Sequence, residues 1–240
     1  MQKQRVVFVH GLGTFGAAAW PRQHGMALAY DALFLRRHGF DANAEPVESS
    51  VAADVAIVIN ALDDSGGGHI VAHEQGAISA MLAAIERPDL VHSLTLVEPA
   101  CLSLTAELPA TGSHRALMEP LFDVRNQLND ADYQREFYRR AFSAETGGLD
   151  SPEARRSARR LRLQAPPWEA PLHIVPGVPT LVLTGGWEPL YEEIAAYLQD
   201  TGALRRVAAG GHRPQDSPEG DRAIRSFIAD VGRAMSVQAS

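Results

Sequence analysis

A single cysteine, Cys101, stands in a chain of 240 residues. That excludes a disulfide framework and a thiolate metal cage. Placed just after an expected strand, Cys101 reads as a small packed apolar residue rather than a nucleophile. Long apolar runs are missing too. No segment approaches the length of a membrane span, and Met1-Gln2-Lys3-Gln4-Arg5 runs straight into an expected strand, leaving no room for a signal peptide. The formal charge of −7 is spread among both signs and forms no basic stripe, which argues against nucleic acid as a partner. The glycines at 11 and 13, and at 66 to 68, make neither a Gly-x-Gly-x-x-Gly nor a Walker loop, so nucleotide binding is unsupported. His69 and His73 share a strand face and His10 ends a neighbouring strand, but the helical His-Glu-x-x-His pattern is absent and no metal is expected. Internal repeats and low-complexity tracts are absent. What remains is expected to be a cytoplasmic globular enzyme or pseudo-enzyme with neither a membrane nor a nucleic-acid partner. Its 45% hydrophobic content is enough for one sizeable core.

The pattern along the chain is strand alternating with helix. Val6-Val7-Phe8-Val9 is a short apolar β-branched run of the kind that forms a parallel strand covered on both faces. Apolar residues at helical spacing (Met26, Leu28, Tyr30, Leu33, Phe34) predict a helix from Pro21 to His38 with Gly39 as its stop. A weaker strand is expected over Asp41–Val47. Ser49 or Ser50 can cap a helix that ends near Gly66-Gly67-Gly68. The strand His69–His73 leads into a small-residue helix, Gln75–Glu86, and Ser93–Val97 forms the next strand. Strand signals then vanish until Thr180–Leu183, after which come a helix from Pro189, a strand at Leu204–Ala208 and a closing helix from Ser217. The expectation is an α/β fold with a mostly parallel sheet, helices on both faces and an inserted helical cap. The core is assigned to residues 1–101 and 177–240, and the cap to 102–176.

Glu74 carries the most information. Around it the sequence reads His69-Ile70-Val71-Ala72-His73-Glu74-Gln75-Gly76-Ala77. An apolar run ends in a small residue, any residue, a reactive residue, any residue and glycine, with a helical pattern following. A sharp strand-to-helix turn of this kind forces its central residue into a strained backbone state and needs small residues two positions either side, here Ala72 and Gly76. Glu74 is therefore expected at positive φ. The layout resembles the nucleophile elbow of the α/β-hydrolase superfamily, with glutamate where serine is usual. Two further segments fall in that family's order. His10-Gly11-Leu12-Gly13 resembles the oxyanion loop, and Gly210-Gly211-His212-Arg213-Pro214 resembles the loop that delivers the catalytic histidine. Thr184-Gly185-Gly186-Trp187-Glu188-Pro189 sits where the family places its acid, and Val97-Glu98-Pro99-Ala100 looks like the segment before the cap. The resemblance covers nearly the whole chain, apart from the cap and an N-terminal strand pair that many relatives have and this chain lacks.

His212 is free of any helix and can act as a base near neutral pH. Glu188 is the expected partner that orients it, with Glu98 as the alternative because some relatives place the acid after the preceding strand. The resemblance implies an oxyanion hole from the backbone N–H groups of Leu12 and Gln75, with His10, Gly11 and Trp187 binding substrate and with His10 and His73 matching residues that shape the oxyanion loop and elbow. In the cap, Tyr133 and Tyr138 are proton-donor candidates, or members of an aromatic core stripe with Phe137 and Phe142. The arginines from Arg155 to Arg162 read as a solvated helix face, with attraction of an anionic substrate as the alternative, and Glu192 and Glu193 read as an exposed helix face. Glu74 itself supports three readings. Relatives that open epoxides or displace halide use a carboxylate at this position, normally aspartate followed by tryptophan, where this chain has Gln75. Glu74 is then a covalent nucleophile in a Glu74–His212–Glu188 arrangement acting on an epoxide, alkyl or ester-type substrate. Alternatively it is a base in a lyase or isomerase, or the site has lost turnover and binds a small molecule.

Overall fold

A computed structural model describes residues 3–238 of the chain. Met1 and Gln2, part of the opening segment expected to run directly into the first strand, lie outside them. Six strands form one parallel sheet: β1 (Arg5–Val9), β2 (Asp31–Phe34), β3 (Gly68–His73), β4 (Val91–Val97), β5 (Thr180–Thr184) and β6 (Leu204–Val207). Their order is β2-β1-β3-β4-β5-β6. Among the described residues, seven α-helices accompany them: α1 (Val51–Asp63), α2 (Gly76–Glu86), α3 (Pro109–Asp123), α4 (Asp130–Phe142), α5 (Pro152–Arg162), α6 (Pro189–Asp200) and α7 (Pro218–Gln238).

Alternate residues of a strand point to opposite faces, and the core divides accordingly. Val7, Val9, Ile70 and Ala72 pack with α1, α2 and α6, through residues such as Leu62, Met81 and Ile194. Val6, Phe8 and Val71 pack on the other face with Trp20 and with Ile224 and Ile228 of α7. Both faces being covered explains why β1 reads as a continuous apolar run over Val6–Val9. Ser50 caps α1 by accepting the Ala53 N–H, one of the two caps expected there.

Two expectations near the N-terminus fail. The segment Pro21–His38 is not a helix: a 3₁₀ helix covers Gln23–Leu28, and β2 follows as a short edge strand parallel to β1. The helical spacing of Met26, Tyr30 and Phe34 is coincidental, because Phe34 stacks on Phe8 across the strand pair with ring centres 4.7 Å apart. Nor is there a strand at Asp41–Val47. The Asp41 carboxylate accepts the backbone N–H groups of Asn43 and Ala44, and this local turn diverts the chain from a ladder.

Between β4 and β5 lie α3, α4 and α5, which share a small core of Met118, Leu121, Phe122, Tyr133, Phe137 and Leu161. Their outer faces carry short-range ion pairs such as Arg115–Glu119 and Arg139–Glu136. The arginines of α5 are not all solvated as expected, for Arg160 is only 3% exposed. Glu192 and Glu193 are also tied down. Glu193 accepts the N–H groups of Ala110 and Thr111 at the start of α3, while Glu192 pairs with Arg205.

Candidate active site

The sheet register brings three chain segments together at the carboxyl ends of the central strands. Val9 of β1 pairs with Ala72 of β3, His73 of β3 pairs with Val97 of β4, and Val97 pairs with Leu183 of β5. The residues just beyond these pairs must be neighbours: the loop from His10, then Glu74, then Glu98, then Gly185. The chain runs from β1 outward to β2 and returns to β3 on the other side, so the loops diverge here and leave a crevice.

Glu74 has φ 51°, the positive value expected of an elbow. Its N–H bonds the Val97 carbonyl at 2.9 Å, and its own carbonyl accepts the N–H groups of Ala77 and Ala100. Gly76 is required because a Cβ there would lie 2.6 Å from the His10 carbonyl oxygen. The glutamate side chain reaches back over the loop after β1, where the Leu12 N–H donates to Glu74 Oε2 at 2.5 Å. Gly11 makes the approach possible, since a Cβ at that position would collide with Glu74 Oε2. The Gln75 N–H, the other expected oxyanion donor, bonds no acceptor among the described residues.

Across the crevice, His212 follows Gly210 and Gly211, both at positive φ. Its Nδ1 lies 3.6 Å from Glu98 Oε2. Glu98 is completely buried and, like Glu74, has positive φ (43°). Its carboxylate accepts the Gly185 N–H at 2.6 Å and the Trp187 indole N–H at 2.8 Å. The expected His212–Glu188 pairing does not form. Glu188 is the residue capping the start of α6, and the turn between β5 and α6 points its backbone donor and indole at Glu98 instead. The carboxylate beside His212 is thus the alternative, Glu98. With Nδ1 turned to Glu98, the Nε2 face of the ring is left for the crevice.

Glu74 and His212 line one cavity of about 300 Å³, together with Leu12, Phe40, Phe137, Tyr138, Phe142, Arg160 and Arg213. A smaller pocket of about 40 Å³ continues from Glu74 between Met118, Phe122, Trp168, Glu188 and Tyr191. Tyr138 is the one expected tyrosine that reaches the cavity; burial, and then the charge of Glu74, keeps its hydroxyl protonated to higher pH than usual. Tyr133 lies wholly inside the α3–α5 core, edge-on to Phe122, and lines neither space. Trp187 also lines neither, holding Glu98 and standing against His212 and Phe142. His10 is buried behind the loop, where its Nδ1 bonds the Gly11 carbonyl and its Nε2 accepts the Arg37 N–H, so it shapes the loop rather than facing a substrate. Burial and the nearby Arg37 charge push its pKa down to about 3.

A sequence model of the alpha/beta hydrolase family matches residues 6–221. The chain belongs to the alpha/beta hydrolase family. No curated protein sequence matches it significantly. Its fold is similar to that of NosK from Streptomyces actuosus (23% identity, 96% of this chain and 100% of that one, TM-score 0.59). It is similar also to a loop variant of the haloalkane dehalogenase DbeA from Bradyrhizobium elkanii (19% identity, 99% and 92%, TM-score 0.63). A third is a mutant epoxide hydrolase from Bacillus megaterium (12% identity, 95% and 94%, TM-score 0.63).

In this alpha/beta hydrolase, three further residues near the site have roles that the sequence hinted at only weakly or not at all. His73 Nε2 bonds the His212 carbonyl at 2.8 Å and so pins the histidine loop to β3. Burial holds its pKa well below the usual histidine value, with the neighbouring His212 charge acting in the same direction. Tyr191 packs its ring 5.3 Å from that of His212, and burial, then the charges of Glu74, Glu98 and Glu188, keep its hydroxyl protonated. Its position one turn into α6, after Pro189, was the available clue. Arg160 is the third.

Proposed function

We propose that this chain is a cofactor-independent hydrolase of small organic molecules in which Glu74 is a carboxylate nucleophile, His212 activates water and Glu98 orients His212. The observation that carries the reading is the anchoring of Glu74 Oε2 by the Leu12 N–H beside a cavity shared with His212. One oxygen is held by the backbone and the other is free to attack. Attack on an sp³ carbon of an epoxide or alkyl halide forms an ester and releases an alkoxide or halide. For an epoxide, the Tyr138 hydroxyl is the proton donor within reach of the cavity. His212 then takes a proton from water, and the resulting hydroxide adds to the ester carbonyl. The negative charge of that intermediate develops on Oε2, already in the Leu12 donor site and beside the uncommitted Gln75 N–H. Collapse breaks the acyl C–O bond, and the departing alkoxide takes the proton from His212. The carboxylic acid left on Glu74 then returns its proton to the Tyr138 phenolate in the epoxide case, or to solvent in the halide case, restoring the carboxylate. Attack on a carboxylic ester would give a mixed anhydride, a poorer exchange, so the sp³ electrophile is favoured.

The test is intact-protein mass spectrometry after exposure to panels of epoxides and alkyl halides. Turnover should vanish in Glu74→Gln, and His212→Ala should accumulate an alkyl adduct on Glu74, because the second step lacks its base. Full activity in Glu74→Gln would sink the nucleophile reading. Loss of activity in both variants with no adduct would favour Glu74 as a non-covalent base instead.

A further inference from the structure

Arg160 is buried at 3% exposure yet lines the cavity that holds Glu74 and His212. Its guanidinium carbon lies 4.7 Å from the centre of the Phe15 ring and 6.0 Å from that of Phe40, which itself lines the cavity. Charge compensation is thin. Nη1 bonds Glu153 at 3.0 Å, but the Glu153 side chain is 54% exposed, and Nη2 donates to the Asp41 carbonyl at 2.7 Å. The Nε–H has no partner. A buried guanidinium paired only with a half-solvated carboxylate leaves positive potential on its apolar side. Arg213, the other arginine at the cavity, is matched by Asp216 at 2.6 Å. Phe137, Tyr138 and Phe142 give the rest of the wall an aromatic stretch.

We infer that the cavity takes a compact organic acid, with an apolar or aromatic body against the phenylalanines and a carboxylate bound by Arg160. Beyond its bonds to Glu153 and to the Asp41 carbonyl, the guanidinium keeps a second N–H on each of Nη1 and Nη2, donors in the planar geometry that suits a carboxylate, and a volume of about 300 Å³ is at the small end for ligand sites. The placement of the substrate's reacting carbon at Glu74 rests on the nucleophile reading; the recognition of the acid does not.

The test is calorimetric titration of the Glu74→Gln protein, which retains an acceptor for the Leu12 N–H, with 4-phenylbutyrate and its neutral analogue 4-phenylbutyramide. The carboxylate should bind at least about tenfold tighter, and Arg160→Gln should abolish that preference while sparing the amide. Glu153→Gln, at a half-exposed site, should tighten carboxylate binding several-fold by removing the competing carboxylate. A role for Arg160 in folding alone would not produce that gain. Equal binding of the two probes, binding of neither, or a preference that survives Arg160→Gln overturns the inference. Should Arg160→Gln fail to fold, unchanged or weaker carboxylate binding in Glu153→Gln overturns it. A carboxylate preference without any Glu74 adduct in His212→Ala sinks the nucleophile reading and leaves this one standing; an adduct without the preference does the reverse.

Discussion

The crevice at the strand ends and the helical segment between β4 and β5 hold their charges in different ways. At the crevice, Glu74 takes the Leu12 N–H and Glu98 takes the Gly185 N–H, donors fixed by the sheet itself. Along α4 and α5, charges such as Arg135 and Arg156 are met by exposed side chains one turn away. Backbone donors cannot change rotamer, so they hold a carboxylate to within a fraction of an ångström; side-chain pairs hold loosely and are screened by solvent. Position is built into the crevice, and the helices above it can drift in sequence without moving the two carboxylates.

The widest gap between the regions should appear in turnover. Glu98→Gln is expected to lower kcat on the order of 10⁴-fold, as when a histidine loses the carboxylate that sets its tautomer. Glu188→Gln should change it by less than about threefold. Steady-state kinetics on one substrate decides both, and the reverse ranking would restore Glu188 as the partner. Acid is the next probe. His10 is pushed down to about 3 and His69 to about 4, and His73 lies well below its usual value, each chiefly by burial. All three are neutral in the folded state at pH values where the unfolded chain protonates them. The stability they hold is therefore complete above pH 6.5 and is lost as pH falls below it. The slope approaches roughly 1.4 kcal/mol per pH unit for each histidine. Denaturant midpoints from pH 7.5 to 4.5 measure it, and a flat profile would show that the sheet tolerates these charges.

Within the helical segment, packing should matter more than charge. Leu121 is 1% exposed against Met118 and Phe122, and Leu121→Ala should cost about 2–5 kcal/mol in chemical denaturation. The smallest effect belongs to Arg135→Ala, which breaks a pair with Asp132 between side chains 63% and 45% exposed. Less than about 1 kcal/mol is expected, shrinking further in high salt. A larger loss would mean that this surface is as constrained as the crevice.

What was legible in the sequence follows the same division. The elbow could be read because its strained turn restricts the chemistry of Ala72 and Gly76, and α1 because Ser50 is a cap. The strand β2 was hidden because four half-buried residues at a sheet edge have no pattern of their own; pairing with β1 makes them a strand. Glu98 and Glu188 both follow a strand, and only the donors arriving from Gly185 and Trp187 distinguish them. Arg160 looked like one more solvated arginine because Phe15 and Phe40, which cover it, lie far away in the chain. Buried polar residues whose partners are distant leave no local trace.

Gly185 approaches the Gly211 carbonyl so closely that a Cβ would collide with it, and Gly211 precedes His212 directly. The turn after β5 and the histidine loop are thus interlocked, and neither can swing without the other. In a saturation library, position 185 should accept glycine alone, although its only tie to the chemistry is a backbone N–H given to Glu98. Such a position is a hidden veto on engineering: remodelling the histidine loop to admit new substrates would have to begin with a residue that lines neither cavity.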